Sequence, residues 1–202
     1  MAVSSHPALA VDPKVLAVLL TEARAHNGWQ DRPVPDALLR EIYEIAKWGS
    51  TSSNCQPMKV VFVRTPEGKK RLEPALSSTN RAKTMAAPVT AIIAYSLDFA
   101  ADMDKYYHVK GSGSWYTTTP QLIEETGLRN SSIQGAYFLI AARALGLDVG
   151  AMSGFSNAKV DAAFFPDGRT KSNFLVNIGY GDAAALYPRM PRRPFDEACS
   201  FA

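Results

Sequence analysis

The chain has 202 residues, 47% of them hydrophobic and 20% charged, a balance that builds a packed core and excludes disordered or fibrous classes. Lys and Arg number 22 against 19 Asp and Glu, a formal charge of +3, and the basic residues are scattered, so no nucleic-acid partner is expected. The two cysteines, Cys55 and Cys199, lie 144 positions apart, which excludes a disulfide framework or a local zinc site and fits a reducing, cytoplasmic setting.

The first element begins at Asp12-Pro13, an N-cap followed by a residue preorganised for the first helical position. Val15, Leu16, Leu19, Leu20 and Ala23 recur at helical spacing, and Asn27-Gly28 is expected to end the run. A second helix follows Asp36 with Leu39, Ile42, Tyr43 and Ala46 on one stripe. The polar stretch Gly49 to Asn54 reads as a loop, Lys59 to Arg64 (KVVFVR) as a buried strand, and Pro66 to Leu76 as a charged amphipathic helix.

A short helix is expected over Asn80 to Ala86 and a second strand over Pro88 to Tyr95 (PVTAIIAY). Asp98 to His108 reads as helical, and Gly111-Ser112-Gly113-Ser114 as a mobile loop. Pro120 to Gly146 is the longest helix; Ile133, Ala136, Tyr137, Leu139, Ile140 and Ala144 make it apolar over most of its circumference, which implies burial in the protein or against a partner subunit. A short strand near Val149, a helix from Asn157 to Phe165, a strand from Phe174 to Tyr180 and an irregular tail with three prolines complete the chain. The expected fold is therefore α+β, with helices packed around a central, mostly antiparallel sheet in one domain over residues 1–202. Residues 1–11 read as a mobile N-terminus without secretory character, and 183–202 as a C-terminal extension. The most apolar stretch, Gly135 to Leu147, carries Arg143 and is too short to span a bilayer, so no membrane partner is expected.

Several common chemistries fail on spacing. Gly111-x-Gly113 lacks a third glycine, Gly68-Lys69 has no glycine five places earlier, and Ser153 sits one place too late for a nucleophile elbow. His6, His26 and His108 are too scattered for a metal site. What remains is a set of polar islands between apolar elements: Arg24 to Asn27, Ser50 to Pro57, Asn80 to Lys83, Gly150 to Phe155, and Arg189-Met190-Pro191.

In their order these islands resemble those of the FMN-dependent nitroreductase-like flavoproteins. Ser50 to Pro57 is similar to the family's P-S-x-x-N-x-Q-P segment, with Ser50 in place of proline; Asn80-x-x-Lys83 is similar to its N-x-x-K pair. Leu145 to Phe155 (LGLDVGAMSGF) is similar to the segment that lies along the flavin. ARAHNGW, KWGSTSSNCQP, EPALSS, RNSSIQGAY and VNIGYG further resemble one branch, the malonic semialdehyde reductases of pyrimidine degradation.

The resemblance implies FMN as cofactor, NADPH or NADH as electron donor, and an intertwined homodimer whose flavin sites are shared. A phosphate favours guanidinium groups, and the family match makes Arg24 and Arg189 the candidates, each of which also reads as a solvated surface arginine. Where the family has R-x-S-x-[RK], this chain has Ala25 and Asn27, so either Asn27 donates a neutral hydrogen bond to the ring or His26 reaches the cofactor. His26 equally reads as a helix C-terminal cap. Lys83 becomes the remaining cation for the N1–O2 edge and Asn80 a donor to a ring carbonyl. Ser50, Thr51, Ser52 and Asn54 are implied to meet the partner's flavin. Met152, Ser153 and Gly154 are implied to offer backbone N–H groups to N5 and O4, with Ser153 standing where the family commonly has Glu.

The implied reaction takes malonic semialdehyde to 3-hydroxypropanoate by ping-pong hydride transfer through the flavin. The catalytic chemistry belongs to the cofactor, and no protein general acid is identified. Arg129 and Trp115 are the candidates for contact with the small-molecule substrate; Arg129 equally reads as a helix arginine paired with Glu124 or Glu125. A broad nitroaromatic or quinone reductase and a non-catalytic FMN carrier are the competing readings.

Overall fold

The computed structural model describes residues 10–202, so the expected arm at 1–11 lies almost wholly outside the described residues. Strands β1 (Met58–Val63), β2 (Val89–Ser96), β3 (Asp148–Met152) and β4 (Thr170–Gly179) make one sheet in the order β1-β2-β4-β3, and every pairing is antiparallel. The apolar runs KVVFVR and PVTAIIAY become β1 and β2 because β-branched residues suit a pleated, packed surface. β2 is central and buried along its whole length.

Alternation along the strands splits the interior into two layers. Val89, Ala91 and Ile93 of β2, with Val176 and Ile178 of β4, join a core against α2 (Asp36–Ala46) and α6 (Pro120–Ala144). Ile92 and Leu175 face the other way, against α3 (Pro66–Leu72) and α7 (Asn157–Phe164). A smaller cluster of Cys55, Phe99 and Met103 lies beside α5 (Met103–Tyr106). Helix α4 (Ser78–Ala86) leads into β2, and short turns α1 (Pro13–Leu16) and α8 (Phe195–Ala198) lie at either end. Helix starts follow their capping chemistry: Thr65 Oγ1 accepts from Gly68 N at 3.1 Å, and Thr119 Oγ1 from Leu122 N at 3.2 Å.

Two expectations are corrected. The first helix does not continue to Asn27: α1 passes into a π-helical turn, Ala17–Thr21, and stops. The next residues turn extended because the outer edge of β3 offers backbone partners; Ala25 bridges Val149, and His26 N donates to Val149 O at 3.1 Å. The segment Gly111 to Ser114 does not form an open loop, since Ser112–Tyr116 closes a 3₁₀ turn with Ser112 buried. Helix α6 has the two faces its composition allowed: Thr126, Asn130, Gln134 and Gly135 turn inward, while Leu128, Ile133 and Tyr137 are 46%, 41% and 39% exposed in the single chain.

Candidate functional site

Arg24 and Arg189, 165 places apart in sequence, are brought to one cleft. Extended segment 24–27 is fastened to β3 at Ala25 and to the end of β4, where Gln30 N donates to Tyr180 O at 2.8 Å. The tail then folds back over it. The Arg24 guanidinium donates to Tyr187 O, and Arg189 Nη2 donates to Ala23 O at 3.3 Å, so each arginine is held by the other's segment. Together with Asn27 and Arg192 they line a hollow of about 230 Å³. Guanidinium groups brought together from two distant segments in this way suit a dianion.

Asn27 links this cleft to α4. Its Oδ1 accepts from Lys83 Nζ at 3.1 Å, and Lys83 is half-buried. One turn earlier on the same helix, the buried Asn80 donates through Nδ2 to Gly154 O at 3.0 Å, while Ser77 N donates to the same carbonyl at 3.0 Å. A Cβ at Gly154 would overlap the Asn80 amide nitrogen, so glycine is what allows the segment after β3 to lie against α4. Ser153 and Gly154 are exposed, whereas Met152 is buried and its sulfur accepts from Thr84 Oγ1 at 3.3 Å. The result is a continuous strip of polar groups: two arginines, then Asn27 and Lys83, then Asn80 and the Ser153–Gly154 backbone.

His26 does not line the cleft. Its side chain is buried, with Nε2 3.2 Å from Asp148 Oδ1. The second carboxylate oxygen accepts from Gly181 N at 2.8 Å, and a Cβ at Gly181 would run into the imidazole. His26 thus pins segment 24–27 to β3 and to the turn after β4, and Asn27, not His26, meets the lysine.

Ser50, Thr51 and Asn54 lie elsewhere, along a separate hollow of about 480 Å³ lined also by Lys47, Trp48 and Gln56; the two clefts share no lining residue. Their loop is conformationally demanding, with Ser53, Asn54 and Gln56 at φ of 47°, 52° and 41° in spite of their side chains. It is held by others' hydrogen bonds. Ser52 N donates to Asn130 Oδ1 at 2.8 Å, Met58 N to Gln134 Oε1 at 2.9 Å, and Asn54 Nδ2 to Tyr106 O at 2.9 Å. The Tyr116 hydroxyl lies 3.2 Å from Ser52 Oγ and donates to Ser53 Oγ at 3.1 Å. Cys55, within this loop, is buried, and burial pushes its thiol up to about 11.

Arg129 is exposed on α6 and makes no salt bridge among the described residues, so the pairing with Glu124 or Glu125 does not form. Trp115 is 49% exposed, its ring edge-on to Tyr107 at 6.1 Å. Sequence reasoning passed over Asn130 and Gln134, which orient the loop. Their signal was present: Thr126, Asn130 and Gln134 repeat every fourth residue, one polar stripe along the helix. Lys69 was also missed. It is buried, and nothing in the run Lys69-Lys70-Arg71 distinguishes it from its solvated neighbours.

Among the described residues no group of His, Cys, Asp and Glu could hold a metal ion, and no helix is long and apolar enough to cross a membrane. Similar folds occur among solved structures. The YdfN protein of Bacillus subtilis, named as a nitroreductase, superposes with a TM-score of 0.81 at 22% identity, covering 91% of this chain and 97% of that one. A protein of Exiguobacterium sibiricum, named as a nitroreductase and solved in complex with FMN, gives a TM-score of 0.83 at 17% identity, covering 96% and 98%. A protein of Staphylococcus epidermidis, named as an NAD(P)H:FMN oxidoreductase, gives 0.81 at 17%, covering 94% of each chain. At these identities the likeness speaks for the fold. Sequence speaks for descent: the Nitroreductase family profile matches residues 21–180, from the segment that carries Arg24 to the end of β4, and the chain belongs to that family.

Proposed function

We propose that this protein is an FMN-dependent oxidoreductase that reduces malonic semialdehyde to 3-hydroxypropanoate with NAD(P)H as a homodimer. The observation that carries the cofactor assignment is the strip running from Arg24 and Arg189 through Asn27 and Lys83 to Asn80 and Gly154. Its donor set fits FMN in order: guanidinium groups for the phosphate, an amine and amides for the pyrimidine edge, and backbone groups for the N5 side. When bound, FMN supplies two-electron hydride chemistry, accepting from NAD(P)H and passing the hydride to the acceptor carbon.

The chain's own residues have separate tasks. Arg24 and Arg189 neutralise the phosphate, and because each already donates to a fixed carbonyl, little ordering remains to be done on binding. Lys83 places positive charge where negative charge develops on reduction, and Asn27, half-buried beside it, fixes where the ammonium points. An aldehyde acceptor also takes up one proton at its oxygen as the alcohol forms. Tyr116, hydrogen-bonded to two serines on the Ser50–Gln56 loop, is the hydroxyl best held to assist there if a second subunit carries that loop to the first subunit's cleft.

Exposed apolar residues support the homodimer. Trp48 is 83% exposed and Tyr43 44%, and Leu128, Ile133 and Tyr137 of α6 are exposed as well, large apolar side chains that a second subunit would cover. The choice of acceptor rests on the segments ARAHNGW, KWGSTSSNCQP and RNSSIQGAY. Broad nitroaromatic or quinone reduction is the second reading, favoured by family membership.

The test is direct. The purified protein should be yellow and elute as a dimer, NAD(P)H should bleach the flavin, and the semialdehyde should restore it with one 3-hydroxypropanoate formed per NAD(P)H consumed. A colourless protein after reconstitution with FMN overturns the cofactor assignment. A kcat/KM for a nitroarene far above that for the semialdehyde overturns the substrate and leaves the second reading.

A further inference from the structure

Behind the cleft lies a buried ammonium that the reading above does not use. Lys69 of α3 is 7% exposed, and its Nζ donates to Thr84 O at 2.7 Å and to Thr90 Oγ1 at 2.8 Å. Thr90 Oγ1 passes a hydrogen bond to Asn177 Oδ1 at 2.8 Å, the two residues facing each other across the β2–β4 register. Asn177 Nδ2 reaches back to Thr84 Oγ1 at 3.3 Å and to Lys83 O at 3.4 Å. Thr84, Thr90 and Asn177 are all fully buried, and Lys69 makes no salt bridge among the described residues.

Stability alone does not account for this arrangement. Taking an ammonium out of water without a carboxylate carries a large penalty, and an apolar side chain of similar length would fill the same space without it. What distinguishes the ammonium is the group it holds. Thr84 O belongs to the last turn of α4, where the unsatisfied carbonyls of a helix attract a cation. The neighbouring carbonyl, Lys83 O, is taken by Trp29 Nε1 at 3.1 Å and by Asn177. Three side chains from three distant segments thus grip two successive carbonyls, and the turn they grip carries Lys83.

We propose that Lys69 is a positioning residue for the cofactor cleft: its buried ammonium fastens the last turn of α4 to β2 and so sets the Lys83 amine against Asn27, at the flavin's pyrimidine edge. This rests on the assignment of Lys83 to the cofactor. Burial pulls the Lys69 amine down to about 8, which still leaves it mostly protonated at neutral pH. Loss of Lys69 therefore frees the helix end that presents Lys83 without touching the cleft itself.

The experiment titrates apoprotein with FMN, following flavin fluorescence, for the wild type, Lys69→Met, Lys83→Met and the double variant, with the midpoint potential and thermal unfolding measured alongside. Lys83→Met should weaken FMN binding about tenfold, and Lys69→Met about fivefold with a melting temperature close to wild type. The double variant should bind no more weakly than Lys83→Met alone, because Lys69 acts through Lys83. An unchanged dissociation constant in Lys69→Met, or factors that multiply in the double variant, overturns the proposal while leaving the cleft assignment in place. If Lys83→Met itself changes neither affinity nor potential, the cleft assignment falls, and this proposal with it. Should Lys69→Met not fold, Thr90→Val, which removes one of the two acceptors at nearly constant volume, replaces it in the same cycle. It should weaken binding about twofold, again only when Lys83 is present, and no change overturns the proposal.

Discussion

The two clefts are built on opposite plans. The arginine cleft gathers its groups from four places along the chain and fixes them through the sheet: Ala25 on β3, Gln30 on the end of β4, Asn80 on the segment after β3. Its backbone is relaxed, and its specificity lies in charge. The Ser50–Gln56 cleft comes from one local loop with three non-glycine residues in the left-handed region, held in place by the amides of α6 and the hydroxyl of Tyr116. Its one lining cation, Lys47, is already paired with Glu44. One set of polar groups is thus assembled by side chains on unstrained extended segments, the other by a strained backbone backed by neighbouring polar groups.

This contrast can be broken or sharpened by experiment. The largest effect should follow from removing both arginines. Arg24→Ala with Arg189→Ala is expected to raise the FMN dissociation constant about a thousandfold at low salt, two charge-assisted contacts at about 2 kcal/mol each, measured by fluorescence titration. A tenfold change or less would place the phosphate elsewhere.

Next in size is the pH dependence from Lys69. Its pKa is 10.5 for the free side chain and about 8 when folded, so between those values the unfolded chain binds more protons. Stability should therefore rise with pH across that window, by up to about 3 kcal/mol, as the buried charge is relieved. Urea unfolding of wild type and Lys69→Met from pH 7 to 10.5 isolates the term: the wild type should gain on the variant as pH rises. A constant difference would mean that Lys69 does not titrate in this range.

Asn130→Ala should cost about 2 kcal/mol, because it leaves the Ser52 N–H without its acceptor; urea denaturation measures it. The same change in the arginine cleft, Asn27→Ala, should cost less than about 1 kcal/mol in stability, since Lys83 can turn to water. Smallest is a change in thiol reactivity. With Cys55 buried and its thiol pushed up to about 11, Cys199, which is exposed, should react with a disulfide reagent at pH 8 about a hundredfold faster, counted by stoichiometric labelling. Asn130→Ala should narrow that gap by loosening the loop.

Much of the fold was legible. Short apolar runs rich in valine and isoleucine announced β1, β2 and β4, and the charged amphipathic pattern of Pro66 to Leu76 and the long apolar run to Gly146 announced α3 and α6. The N-terminal segment was not legible because the period of Val15 to Ala23 runs into residues whose backbone is claimed by the edge of β3, a tertiary competitor that no local propensity reveals. The outward face of α6 stayed open between two readings for a related reason. Hydrophobicity shows that Ile133 and Tyr137 avoid water, not whether they do so inside one chain or between two. In the candidate site, the family resemblance singled out Arg24, Arg189, Lys83 and Asn80, which the fold brings into one strip, but the choice between His26 and Asn27 needed the Asp148 carboxylate, 121 places beyond Asn27 in sequence. Lys69 left no trace at all, since a buried lysine and a solvated one are written with the same letter.

The reciprocal grip of Arg24 on Tyr187 and of Arg189 on Ala23 ties the order of the last residues to that of the segment beside β3. Clipping the chain just past Gly181 would loosen the anion-facing arginine that remains, and an anion seated between the two would in turn shield the tail from a protease. On the proposed assignment, protease resistance of the C-terminus should track occupancy of the cleft by its anion.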